Sequence, residues 1–111
     1  MRHNEQQWLK FPLGLLQHKE LNLSTKVIYV YMLCRFQFFT KVQKALYFEA
    51  QETIADATGV SRKTVNESIR QLSELGFVSY KKTKQSSVYE VKDVYHIYNK
   101  KKVEMKTEEP F

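Results

Sequence analysis

The stretch Ser61-Arg62-Lys63-Thr64-Val65-Asn66-Glu67-Ser68-Ile69-Arg70 interleaves hydrogen-bonding and apolar side chains at a spacing that separates them. Val65, Ile69 and Leu72 recur four and three residues apart, which on a helix gathers them on one side. Arg62, Lys63, Asn66, Glu67 and Arg70 then project away from that stripe. Their shared chemistry is directional hydrogen bonding. An arginine fork can donate twice to guanine, an asparagine amide can both donate to and accept from adenine, and a glutamate can accept from cytosine. Arg62, Lys63 and Asn66 are the first candidates, with Arg70 next. Ser61 and Thr64 open the helix, where unpaired backbone N–H groups favour an anion such as phosphate. Ser61 serves equally well as a plain N-cap. Glu67 reads more simply as a solvated residue.

Charge points the same way. The chain has 111 residues, 18 Lys/Arg against 12 Asp/Glu, a net charge of +6 and a pI of about 9.4. Residues 1–60 carry seven basic against five acidic side chains, residues 61–102 ten against four, and residues 103–111 one against three. The excess lies in the second half, which suits a face that binds a polyanion. Lys81, Lys82 and Lys84, with Ser86 and Ser87, form a basic tract there. Lys100–Lys102 reads as a solvated terminal run.

Catalysis finds little support. His3, His18 and His96 are scattered, and no Gly-rich phosphate loop, nucleophile elbow or paired-carboxylate pattern occurs. Glu52 and Asp56 lie one turn apart and read as a solvated face. The expectation is no enzyme, no cofactor, no metal and no small-molecule ligand. The single cysteine, Cys34, can form neither an internal disulfide nor a structural zinc site. It falls in the apolar run Val27–Phe39 and reads as a buried core thiol. That run is too short to span a bilayer and contains Arg35, and Met1–Gln7 is not followed by the apolar stretch of a secretory signal. A cytoplasmic protein without a membrane partner is expected.

These residues need elements to hold them. At 42% hydrophobic and 14% aromatic, one domain can build its own core. Trp8–Pro12 reads as a short strand or extended segment, and Leu13–His18 as a helical turn. A long helix is predicted from Ser24, capped by that residue, to about Phe39–Lys41. Its stripe is Val27, Tyr31, Cys34 and Phe38, widened by Ile28, Met32 and Phe36. Lys41–Lys44 reads as a loop, and Ala45–Phe48 as a strand or entry turn. A second helix covers Gln51–Ala57 with a poor cap at Ala50. Thr58-Gly59-Val60 is a turn in which Gly59 takes a positive φ. A third helix covers Arg62–Leu75, with Ser61 as cap and Gly76 as stop. Residues 77–82 and 88–91 form a β-hairpin with a basic tip, and Val94–Tyr98 is a further strand or a packed tail.

The segment from Gln51 to Leu72 resembles a helix-turn-helix. Ala55 is small where two helices cross, Gly59 makes the sharp turn, Val60 fills the gap beneath it, and Val65 and Ile69 lock the second helix onto the first. Leu72-Ser73-Glu74-Leu75-Gly76-Phe77-Val78 resembles the passage into the wing of bacterial winged-helix proteins. With Phe11-Pro12 and the helix opening Leu23-Ser24-Thr25-Lys26-Val27-Ile28-Tyr29, residues 8–92 are similar to helix-turn-helix domains of phage and plasmid proteins. They are also similar to the N-terminal domain of replication initiators of Gram-positive plasmids.

The resemblance implies an α+β winged helix-turn-helix with three main helices and a C-terminal β-hairpin wing. Residues 1–98 would form it, and 99–111 a charged tail. It implies double-stranded DNA as partner, with the third helix in the major groove. Ser61, Arg62, Lys63, Thr64, Asn66 and Arg70 would contact DNA there, and Lys81, Lys82 and Lys84 would touch backbone or minor groove. A transcriptional regulator of phage or plasmid type is the first expectation. The origin-binding domain of an initiator, which would need further domains beyond residue 111, is the second. A protein-interaction module without DNA binding is the third. Reading an inverted repeat needs two copies, so a homodimer is expected. Trp8, Phe11, Tyr29, Tyr31, Phe36, Phe38 and Phe39 exceed what one helix face needs, and some of them could supply its interface.

Overall fold

The computed structural model describes residues 9–82 and 87–98. Trp8, Lys84 and the tail from residue 99 lie outside the described residues. The element order is α1 (Leu13–Leu16), α2 (Leu23–Gln37), a π-helical turn (Phe38–Val42), β1 (Tyr47–Glu49), α3 (Gln51–Thr58), α4 (Arg62–Glu74), β2 (Val78–Lys82) and β3 (Ser87–Val91). Three main helices are followed by a hairpin, and β1 joins that hairpin to make an antiparallel sheet in the order β1-β3-β2. This is the winged helix-turn-helix arrangement that the sequence predicts.

The long helix α2 is capped two residues earlier than expected. Asn22, not Ser24, is the N-cap, and its amide oxygen accepts from Thr25 N at 2.9 Å. This start turns Thr25 and Lys26 inward. The Thr25 hydroxyl meets Ser68 Oγ of α4 at 2.9 Å, and the Lys26 ammonium donates to the carbonyl of Leu16 at the end of α1.

The buried face of α2 keeps Ile28 and Met32 of the predicted stripe but otherwise differs from it. Ile28, Tyr29, Val30, Met32 and Leu33 are buried, whereas Val27, Tyr31 and Cys34 are half-buried and Phe38 is exposed. Nearly every residue from 27 to 34 is apolar, so the pattern had no phase from which to choose a side. Of the aromatic residues considered for a dimer interface, Tyr29 belongs to the core, Phe11, Tyr31, Phe36 and Phe39 are half-buried, and Phe38 alone is exposed among those described.

Residues 9–12 form no strand, and neither do 94–98. The second segment is the packed tail of the two alternatives. Asp93 organises it, accepting from Ile97 N at 2.7 Å and Tyr98 N at 2.6 Å. The Tyr29 hydroxyl donates to Lys92 O and accepts from Val94 N at 3.0 Å. These bonds satisfy backbone groups that a strand would have paired.

Three tyrosines are the largest side chains of the core: Tyr29, Tyr47 and Tyr89. Tyr47 and Tyr89 are register partners across β1 and β3, with ring centroids 5.8 Å apart. Phe77 meets Tyr29 edge-on at 5.3 Å. Glu49 closes the junction between α2 and β1. Its carboxylate accepts from Tyr31 at 2.8 Å and from Tyr47 at 2.6 Å. Burial first, and then this carboxylate, push both phenols well above the usual tyrosine range.

Candidate nucleic-acid interface

Two helices and one tight turn place the hydrogen-bonding face. α3 is preceded by Ala50, whose backbone has cap geometry but whose side chain can accept nothing. Ile54 and Ala55 are the buried residues of α3, and the small Ala55 side chain permits a close crossing. Gly59 ends the helix at φ +80°, the left-handed region where glycine carries no Cβ penalty. Its N–H donates to Ala55 O at 2.9 Å, and Val60 follows, half-buried.

Ser61 then caps α4, accepting from Thr64 N at 3.1 Å. The Ser61 and Thr64 hydroxyls are also 3.0 Å apart. Of the two roles open to Ser61, the N-cap is therefore occupied. Val65, Ser68, Ile69 and Leu72 form the buried stripe of α4, the predicted residues with Ser68 added. At the far end Gly76, at φ +84°, makes the stop. Phe77 N donates to Leu72 O at 2.9 Å and Gly76 N to Ser73 O at 3.1 Å, the paired bonds of a Schellman closure. The chain leaves α4 directly into β2.

Arg62, Lys63, Asn66, Glu67 and Arg70 are all exposed, and Thr64 is half-buried. Spacings of three and four keep Lys63, Asn66, Glu67 and Arg70 together on the side opposite the stripe. The structure thus brings Lys63, Asn66 and Arg70 of the predicted residues onto one solvent-facing surface, with Arg62 exposed at its α3 side. Lys81 and Lys82 lie exposed on β2, the strand that α4 feeds. Lys84, between β2 and β3, lies outside the described residues. The arrangement can present a planar cation, an amide and several ammonium groups along one helix, with more cations on the adjoining strand. That is a surface suited to base edges and phosphates together.

Two residues of this surface escaped the sequence reading. The Gln51 amide donates to Asn66 Oδ1 at 3.4 Å. Glu52 pairs with Arg62, Oε2 to Nη1 at 3.3 Å. Reading Glu52 and Asp56 as a solvated pair on α3 left this out. Ten residues separate Glu52 from Arg62, and only the fold of the turn brings them together. Further off, Gln71 Nε2 donates to Glu20 O at 2.8 Å and ties the back of α4 to the segment before α2.

Among the described residues no group of three or more His, Cys, Asp or Glu could hold a metal ion. Among the described residues no helix is long and apolar enough to cross a membrane. No curated protein matches the chain. A family model described as a helix-turn-helix domain matches residues 19–78, more than half of the 111 residues and the stretch holding α2, α3, the turn and α4. The chain belongs to this helix-turn-helix family of DNA-binding domains.

Proposed function

We propose that this protein is a sequence-specific regulator of transcription, of the phage or plasmid type, that binds duplex DNA as a homodimer. α4 enters the major groove, and the β2–β3 wing rests on the backbone. The observation that carries this reading is the exposed face of α4, where Lys63, Asn66 and Arg70 stand opposite the buried stripe and Arg62 is exposed beside α3, paired with Glu52. Arg62, Lys63 and Asn66, with Arg70 next, supply base-edge chemistry, while Lys81, Lys82 and Lys84 supply phosphate chemistry. Ser61 and Thr64 add hydroxyls at the helix start. The role is one of binding, without a catalytic step, a cofactor or a small-molecule ligand.

A second copy is favoured by exposed apolar side chains on the π-helical turn, on β1 and between them. Phe38, Val42, Leu46 and Phe48 are 38%, 66%, 66% and 52% exposed. The Phe39 ring joins them, 6.1 Å from Phe38 and 6.2 Å from Phe48. Exposed apolar groups of this kind on a small domain mark contact surfaces.

Selection from a random duplex library tests the whole reading. An enriched inverted repeat is the expected result, with affinity falling by about one log–log slope unit per phosphate contact as salt rises. Directly repeated sites would instead favour the origin-binding role of an initiator. No enrichment and no duplex binding would favour a protein-interaction module. For the dimer, Phe48→Lys is expected to give a monomer in sedimentation and to keep binding to a half-site while losing the inverted repeat. A wild-type chain that sediments as a monomer at micromolar concentration removes the dimer.

A further inference from the structure

We propose that the first turn of α3 sets the DNA specificity of α4, with Gln51 positioning Asn66 and Glu52 positioning Arg62. The inference rests on the base-reading role given to α4 above. Gln51 and Glu52 are consecutive, and each reaches a different α4 side chain. The Gln51 amide donates to Asn66 Oδ1 at 3.4 Å, and Glu52 holds Arg62 Nη1 at 3.3 Å. Both partners carry planar groups that can bond a base edge bidentately.

Orientation is what these contacts supply. A free asparagine amide can rotate half a turn and exchange its donor and acceptor edges. With Oδ1 turned towards Gln51, the Asn66 NH₂ group is aimed elsewhere, and one of the two patterns is selected. Gln51 also lies close enough to the Tyr89 hydroxyl to offset part of the upward push of burial on that phenol, and the Tyr89 ring is buried in β3. Gln51 thus stands between Asn66 and the strand at the centre of the sheet.

Glu52 acts on Arg62 in two ways. It holds one edge of the guanidinium, and it brings a negative charge to a surface that phosphates approach. Both partners are well exposed, at 64% and 73%, so the pair adds little to folding stability. Its effect falls on discrimination. A phosphate gains less from Arg62 while the carboxylate is present, whereas a correctly placed guanine edge still gains its two bonds. Glu52 thus weakens binding to arbitrary DNA more than binding to the chosen site.

The test uses the full chain and the site selected by the wild-type protein. Base preferences are measured at every position for Gln51→Ala, Glu52→Gln, Asn66→Ala and Arg62→Ala, with melting curves to verify folding. Gln51→Ala is expected to lose roughly tenfold preference at the position that Asn66→Ala relaxes. Adding it to Asn66→Ala is expected to change nothing further at that position. Glu52→Gln is expected to flatten the position that Arg62→Ala relaxes, while binding to a scrambled duplex tightens about two- to fivefold. A merely structural role predicts the opposite, weaker binding to every duplex. Unchanged base preferences in Gln51→Ala and Glu52→Gln, or an even loss at all positions, would overturn the positioning role and leave DNA reading intact. A wild-type chain that enriches no site overturns both.

Discussion

Thr25 and Ser68 show how much rests on single polar atoms. Their hydroxyls meet at 2.9 Å between α2 and α4, and both residues are buried. Ser68→Ala strands the Thr25 hydroxyl away from water and is expected to lower stability by about 1–3 kcal/mol. The double variant Thr25→Val with Ser68→Ala removes both partners and is expected to recover much of that loss. Denaturant melts of the two variants check this, and equal losses in both would refute it. On the exposed face the consequence is binding rather than folding. Arg62→Ala is expected to cost about 1–3 kcal/mol on the selected site and to relax one base position. An equal loss on every sequence would reassign Arg62 to phosphate. The residue types on this face were legible in the sequence because a helical period separates them from Val65, Ile69 and Leu72. The partners of Arg62 and Asn66 were not, since Glu52 and Gln51 approach only across the turn.

Between elements, α3 and α4 differ at their starts. α4 has Ser61 accepting from Thr64 N at 3.1 Å. α3 has Ala50, whose backbone at φ −70° and ψ 148° is already that of a cap and whose side chain makes no bond. Ala50→Ser is therefore expected to stabilise the fold by about 1 kcal/mol, by giving a first-turn N–H an acceptor. Thermal unfolding reads the result, and an unchanged or lower midpoint contradicts it. Local signals sufficed for α3, the turn and α4: a glycine where φ is positive, a capping hydroxyl, and a clean apolar stripe. They misled at α2. Asn22 and Ser24 are both good caps two residues apart, and the choice between them depends on where Thr25 and Lys26 must point. The contacts that settle it, Ser68 and Leu16, lie 43 and 10 residues away.

Across the whole molecule, the core is built around tyrosines that must stay neutral. Burial, the largest cause, pushes Tyr29 up to about 12 from its ordinary 10.0. Tyr31, Tyr47 and Tyr89 are also raised, burial again being the main cause. In the unfolded chain these phenols ionise near pH 10. Between that pH and the folded pKa the native state binds more protons, so stability is full below pH 10 and falls as the pH rises towards 12. Melting midpoints from pH 8 to 11.5 are expected to fall once pH 10 is passed. A flat midpoint through that window would show that the phenols ionise alike in both states.

Composition, helical period and turn chemistry were enough to place the three main helices, the hairpin and the polar face of α4. Those features act over a few residues, and the chain carries them wherever it lies. The buried side of α2, the entry of β1 into the sheet beside β3, and the reach of Gln51 and Glu52 to α4 depend on segments far apart in sequence. Packing alone joins them, because an almost wholly apolar helix can bury any side until its neighbours occupy the others. The same holds for the face that carries Arg62 and Asn66. Its residue types came from local pattern, but the carboxylate and amide that hold them came from the crossing of α3 and α4.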